Sequence, residues 1–222
     1  MGVLLMLITI GGLITAAVLL VISLVTKKIW LTQFTLAGVA VWSVFYVAML
    51  FGFSFASTEK TLAMNEPKEF CGFYLDCHLH TEVTGVRTVK TIGDRTANGT
   101  FYVVNVKVFS DAKNPNIALH LIAPKARVVL TNGDKIEREM AAEVMLPTAN
   151  VRLDTDIHNN ETIEKEIVFD LPTDVREPRL DLREGYGIDH MIEAVLVDDE
   201  DSILHARTRF ELREQNENAS VK

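Results

Sequence analysis

The stretch CGFYLDCHLH, residues 71–80, contains the side chains of this sequence that are best suited to chemistry. Cys71 and Cys77 are the only two cysteines of the chain, and His78 and His80 follow directly. Thiolates and imidazoles are ligands for zinc and copper. Two cysteines in an oxidising compartment instead form a disulfide by default. The choice between these two chemistries depends on where the rest of the chain places this stretch.

A metal site here would use one face of an extended strand. Side chains alternate between faces along a strand, so Asp76, His78, His80 and Glu82 would lie opposite Cys77. Copper and zinc sites use such His-x-His pairs, and a third ligand would come from elsewhere in the chain. A set of both cysteines and both histidines is the other arrangement. Neither matches the spacing of a zinc finger or the C-x-x-C-H of haem attachment, so a disulfide without a cofactor is favoured over copper or zinc.

Other motifs for chemistry are few. The sequence lacks G-x-S-x-G, H-E-x-x-H and a phosphate-binding glycine loop, which predicts that the protein is not an enzyme. The acidic run DDED offers Asp198, Asp199 and Asp201 as weak calcium ligands. A solvated turn is the commoner meaning of such a run, and it is the favoured interpretation.

Two long uncharged stretches open the sequence. No Asp, Glu, Lys, Arg or His occurs from Met1 to Thr26, nor again from Ile29 to Thr58. About 20 apolar residues suffice for a helix to cross a bilayer. A cleaved signal peptide is disfavoured, because the first stretch lacks a basic start and its apolar run is too long. Residues 1–58 therefore predict two transmembrane helices, at about 3–25 and 30–56.

The short connector at residues 26–29 predicts the orientation. It contains Lys27 and Lys28, the only positive charges near either span on that side, and short loops rich in lysine stay in the cytoplasm. We therefore expect a two-span protein of the cell membrane, with the lipid bilayer as a partner and the C-terminal part outside the cytoplasm.

The remainder of the chain is acidic. From Glu59 onward there are 30 acidic and 20 basic residues, a net charge of −10. Nucleic-acid binding needs clustered lysine and arginine, so this composition predicts no nucleic-acid partner. Anionic lipid headgroups would also repel this part of the chain.

Alternating β-branched and aromatic residues predict strands after a linker at residues 59–70. Asn132-Gly133 between two such runs is a strong hairpin signal. Residues 136–146 fit either a short helix or a return strand followed by a loop. Seven or eight short strands predict an antiparallel immunoglobulin-like β-sandwich over 71–213, before a disordered tail at 214–222. The predicted strands lie at 100–110, 126–139, 161–172, 178–184, 191–199 and 203–214.

Two of these segments carry a resemblance to a known family. One pattern comprises Gly99, Phe101, Val103, Val104, Val106 and Val108, and the other comprises Val168, Phe169, Asp170, Leu171, Pro172, Pro178 and Leu180. Together they resemble the bacterial telokin-like, immunoglobulin-like extracytoplasmic domain of unknown function, over roughly residues 80–213. The resemblance implies a β-sandwich with a binding or structural role and supplies no catalytic residue. The two spans and the cysteine stretch are not part of the family pattern.

An extracytoplasmic location favours the disulfide between Cys71 and Cys77. Gly72 permits the turn that a small loop needs, and closing it would add at most about 2–3 kcal/mol to stability. The leading hypothesis is a membrane-anchored, non-enzymatic sandwich that binds a protein partner or serves envelope structure. One alternative is a copper- or zinc-binding electron-transfer or metal-delivery subunit, similar in layout to the second subunit of haem-copper oxidases but without its copper motif. Another alternative is an accessory subunit of a membrane complex.

Overall fold

The computed structural model describes residues 2–71 and 77–214. The chain forms two compact units. The first contains the N-terminal residues up to Glu59 together with residues 187–207, and the second contains residues 60–186 and the residues from Thr208. We call them the helical unit and the sandwich unit.

The helical unit is built on two N-terminal apolar helices. Helix α1 covers Gly2–Thr26 and helix α2 covers Ile29–Ala56, and both are long and apolar enough to cross a membrane by length and composition. The turn between them contains Lys27, whose φ is 52°, and the helices return antiparallel. The indole Nε1 of Trp42 donates to Thr9 Oγ1 at 3.0 Å, which fixes the register of the pair.

Residues 187–207 join this unit from a distant part of the sequence. They contain a short helix, α4 at Gly187–Glu193, followed by turns up to the last strand. The predicted strand at 191–199 is therefore wrong. Its apolar residues contact the N-terminal helices, and no neighbouring strand pairs with it among the described residues.

The sandwich unit contains two sheets and nine strands in the described ranges. One sheet has the order β1-β9-β8-β5-β6, and the other has the order β2-β3-β4-β7. All strand pairs are antiparallel except β1 with β9. The strands are β1 (Lys60–Leu62), β2 (Lys68–Phe70), β3 (Leu79–Ile92), β4 (Arg95–Ser110), β5 (Lys125–Val129), β6 (Lys135–Glu137), β7 (Thr162–Leu171), β8 (Arg179–Arg183) and β9 (Thr208–Glu211).

The hydrophobic core lies between the two sheets, as a sandwich requires. Alternate residues of β4 point inward, and Val104, Val106 and Val108 are almost fully buried. Phe169 of β7 and Phe210 of β9 are the largest fully buried side chains. The alternation seen in the sequence therefore produces the core directly.

The Asn132-Gly133 hairpin is confirmed. It joins β5 to β6, Gly133 has a φ of 89°, and Asn132 Oδ1 accepts the backbone N–H of Asp134. Both proposed structures for residues 136–146 occur in succession, since β6 ends at Glu137 and helix α3 covers Met140–Glu143.

Residues 60–70 of the predicted linker at 59–70 belong to the sandwich unit instead. It contains β1, which pairs in parallel with β9, and β2, which pairs with β3. Strands of three residues carry little local signal, and these two are defined by distant partners. The predicted tail lies outside the described residues from 215 onward.

Candidate functional site

The cysteine stretch forms a closed loop. Cys71 and Cys77 are joined by a disulfide, six residues apart in sequence. Their sulfur atoms therefore bond to each other, and a ligand set of both cysteines and both histidines is not available in this state. The residues between them, Asp76 included, lie outside the described part of the chain.

His78 and His80 meet at one carboxylate. Asp111 follows the end of β4, opposite the start of β3, and its Oδ1 lies 2.8 Å from His78 Nδ1 and 3.2 Å from His80 Nε2. Hydrogen bonds from His78 first, and then His80, lower the pKa of Asp111 from its ordinary value. Asp111 carries no signal in the sequence that links it to the histidines, because only the pairing of β3 with β4 places it beside them.

The two histidines differ in their surroundings. His80 is almost buried and stacks on Phe109, with ring centroids 5.1 Å apart, while His78 is exposed. Nδ1 of His80 is buried and has no hydrogen-bond partner within the described ranges. The predicted ligand Glu82 does not join the group, because it pairs with Lys107 at 2.8 Å. The structure therefore assembles His78, His80 and Asp111, which is a partial ligand set at most.

The acidic run at 198–201 folds into a turn with its own hydrogen bonds. Asp199 Oδ1 accepts the N–H of Asp201 at 2.9 Å, and Asp201 also pairs with Arg207 at 3.0 Å. Across residues 2–71 and 77–214, the single group of three potential metal ligands within 4.8 Å of one another is His190, Glu193 and Asp201. Asp201 is thus directed towards α4 and the arginine, and not towards Asp198.

Two carboxyl groups in this turn region are shielded from water. Burial raises the pKa of Glu193, and the nearby charges of Asp201 and Asp199 add to the effect, against a hydrogen bond from His190. Burial likewise raises the pKa of Asp199. Residues 187–207 therefore hold partly buried acids beside apolar helices, which disfavours their charged forms.

The long edge of the second sheet is covered. Strand β7 is its outer strand, and residues 138–151 lie along it. Val168 donates to Glu143 Oε1 at 3.1 Å and accepts from the N–H of Glu139 at 2.7 Å, and Glu166 donates to Thr148 Oγ1 at 3.0 Å. The other three edge strands have three residues each. The sandwich therefore offers little open edge for a partner to extend by strand pairing.

An open groove lies at the end of β7. It has a volume of about 590 Å³ and a mixed polar and apolar lining. Asp170 in its wall is already occupied, because its carboxylate accepts the backbone N–H groups of Asn98 and Gly99. The groove also contains the carboxylates of Glu137, Glu139 and Asp174.

No protein-family model matches this chain, and no curated protein matches it in sequence. Among solved structures, the secreted protein MPT63 of Mycobacterium tuberculosis has a TM-score of 0.46 and 10% identity, over 70% of this chain and 99% of that one. A conserved hypothetical protein of Bacillus anthracis has a TM-score of 0.39 and 12% identity, over 55% of this chain and 94% of that one. An uncharacterised β-sandwich protein of Clostridium difficile has a TM-score of 0.34 and 9% identity, over 71% of this chain and 97% of that one. The fold assignment rests on the strand pairing above, and these similarities assign no function.

Proposed function

We propose that this protein is a membrane-anchored, non-enzymatic module that presents an extracytoplasmic immunoglobulin-like sandwich to a protein partner or to the cell envelope. The observation that carries the proposal is the surface of α1 and α2. The two helices have 25 and 28 residues without Asp, Glu, Lys, Arg or His, and only five of their residues are buried, namely Gly2, Ser23, Thr35, Leu50 and Ser54. Helices this apolar need lipid to cover them.

The orientation follows from charge. Lys27 and Lys28 lie in the turn between the helices, which favours a cytoplasmic turn and an outer sandwich. The disulfide supports the same orientation, because disulfides persist outside the reducing cytoplasm.

The sandwich would meet a partner through its loops. Its long edge strand β7 is occupied by residues 138–151, so strand addition at this edge is disfavoured. Loops on a rigid scaffold are the remaining general mode of recognition. The telokin-like resemblance fits this role, since that family is expected to bind or to support structure and not to catalyse.

Protease treatment of intact cells tests the proposal. We expect the sandwich to be degraded after the outer membrane or wall is made permeable, while an internal cytoplasmic marker stays intact. We also expect Cys71 and Cys77 to resist a thiol reagent until a reductant is added. A protected sandwich with free thiols would contradict both the orientation and the compartment.

For the alternative function, a copper- or zinc-binding subunit, the ligands among the described residues would be His78 and His80 with Asp111 beside them. Metal analysis of the purified full chain tests it, with His78→Ala as the variant. We expect no stoichiometric copper or zinc in either protein. Bound metal that is lost in the variant would favour the metal-delivery function instead.

A further inference from the structure

We propose that residues 187–207 form a third membrane-contacting element, which lies in the outer interface of the bilayer and inserts apolar side chains among the acyl chains. This inference rests on the proposed membrane anchor and adds a segment that the sequence pattern assigns to the sandwich. It is argued from the contacts of the segment with α1 and α2, from its exposed side chains and from its charge.

The segment is attached directly to both helices. Tyr46 in α2 donates its hydroxyl to the carbonyl of Val195 at 2.7 Å, and Ala206 donates its N–H to Ser57 Oγ at 2.8 Å. A Cβ at Gly2 would lie 2.3 Å from the carbonyl oxygen of Val197, so the glycine is required for this approach. The segment therefore packs at the start of α1 and along the second half of α2.

This position corresponds to the outer boundary of the bilayer. The helices are antiparallel, so the start of α1 and the end of α2 share the end opposite Lys27 and Lys28. A helix of the length of α2 spans about 42 Å, against about 30 Å of hydrocarbon, and both helix ends reach the interface.

The segment presents an apolar stripe to its surroundings. Ile188, Met191 and Ile192 follow the helical spacing i, i+3 and i+4 along α4, so they share one face, and Val195 is exposed in the turn that follows the helix. Their exposures include 67% for Ile188 and 74% for Met191. Ile203 and Leu204 are exposed in the same segment, Leu204 at 64%. An aqueous location for these six side chains would be unfavourable, whereas helices α1 and α2 expose the same kind of surface beside them.

The charge of the segment indicates which lipid headgroups it can lie among. Its polar turn contains the acidic run 198–201, which anionic headgroups would repel. Apolar burial must therefore supply the attraction, as it does for interfacial segments that insert about 5–10 Å into the headgroup boundary. The expected occupant is zwitterionic lipid, and the acidic turn remains in the headgroup layer.

Fluorescence quenching in vesicles tests this placement. The full chain, with its disulfide intact, is reconstituted in phosphatidylcholine after one added cysteine has been labelled with an environment-sensitive fluorophore. The test positions are Met191→Cys and Leu204→Cys. Val41→Cys, which is exposed on α2, reports the spans, and Lys113→Cys, on an exposed loop of the sandwich, reports water.

We expect a nitroxide near the top of the acyl chains to quench positions 191 and 204 at least about twofold more than position 113. Aqueous iodide should show the opposite order. If iodide quenches 191 and 204 as strongly as 113 while Val41→Cys stays lipid-quenched, the inference is wrong and the anchor stands. Protection of 191 from both quenchers would show a covering protein, such as a second copy, and would also overturn it. Iodide access at position 41 would overturn the anchor itself.

Discussion

Glu143 illustrates how a single buried charge protects a sheet edge. Its side chain is almost inaccessible, its carboxylate pairs with Arg138, and it accepts the N–H of Val168. Removing one member of a buried pair leaves the other charge unpaired.

We expect Glu143→Ala to lower the free energy of unfolding of the sandwich by about 3 kcal/mol. The measurement is urea unfolding of the full chain in detergent, monitored by the circular dichroism signal of the β-sheet. Glu137→Ala, at an exposed residue of β6, is the matched control and should change the value by less than about 0.5 kcal/mol. Equal effects of the two substitutions would show that the buried carboxylate has no special role.

Asp111 should make the free energy of unfolding of the sandwich depend on pH in the acidic range. Its folded-state pKa is lowered, chiefly by the hydrogen bond from His78. A lowered folded-state pKa contributes stability above the unfolded value and loses it as pH falls through the folded value. We therefore expect Asp111→Asn to be less stable than wild type at about pH 5, and this difference to shrink below about pH 4. Unfolding curves at several pH values measure it, and a difference unchanged down to about pH 2.5 would contradict the assignment.

At the scale of elements, residues 138–151 cover the outer edge of β7 and should slow hydrogen exchange of its backbone amides. Outward N–H groups of an edge strand normally exchange quickly with solvent, but those of Glu166 and Val168 have side-chain acceptors. We expect both amides to be protected in hydrogen-exchange spectra of the full chain. Thr148→Val should accelerate exchange at Glu166 by about tenfold and leave Val168 unchanged. Fast exchange at both residues in the wild type would mean that the cover opens freely.

The segment 187–207 predicts a second response to pH, of opposite sign. Burial raises the folded-state pKa of Glu193 and Asp199, so their contribution to stability is complete below the unfolded values and is lost as pH rises through the folded ones. The charged groups that surround these two carboxyls are His190, Glu200, Asp201, His205 and Arg207. Helices α1 and α2 contain no Asp, Glu, Lys, Arg or His, and Tyr46 of α2 adds a phenol hydroxyl that donates to the carbonyl of Val195.

We expect residues 194–205 to exchange more slowly at about pH 5 than at about pH 7, after correction for the intrinsic rate. The double variant Glu193→Gln, Asp199→Asn should remove this difference and retain the backbone hydrogen bond to Asp201. Asp198→Asn is the control, because this exposed residue has a positive φ that asparagine tolerates. An unchanged pH response in the double variant would refute the role of the two acids.

The same elements show what the sequence predicts and where it fails. Strand β4 was predictable, because its valines alternate and the alternation alone selects the buried face. Residues 191–199 were not, since a short apolar run is compatible with a strand or a helix until its partner is known. That partner is a helix pair nearly 150 residues away in sequence. The meeting of His78 and His80 at Asp111 depends in the same way on strand register, which local patterns do not specify.

At the scale of the whole molecule, the chain passes between its two units three times, after Glu59, after Tyr186 and after Arg207. A domain joined by one linker can be cut off cleanly at that linker. Here the second and third passages enclose residues 187–207, which belong with the helices although they lie between β8 and β9. A single cut before Lys60 therefore leaves residues 187–207, which belong to the helical unit, attached to the sandwich unit.

This arrangement determines how the sandwich unit behaves when it is produced alone. A fragment that begins at Lys60 would retain six apolar side chains with their helical neighbours removed, and we expect it to self-associate. Replacing residues 188–206 by a short glycine-serine loop should give a monomer with the same β-sheet spectrum, as checked by light scattering and circular dichroism. If the unmodified fragment were monomeric, residues 187–207 would cover their own apolar side chains without the helices, and the expected self-association would be wrong. Separate production of the sandwich unit thus requires two cuts in this protein, and the second one lies far from α1 and α2 in sequence.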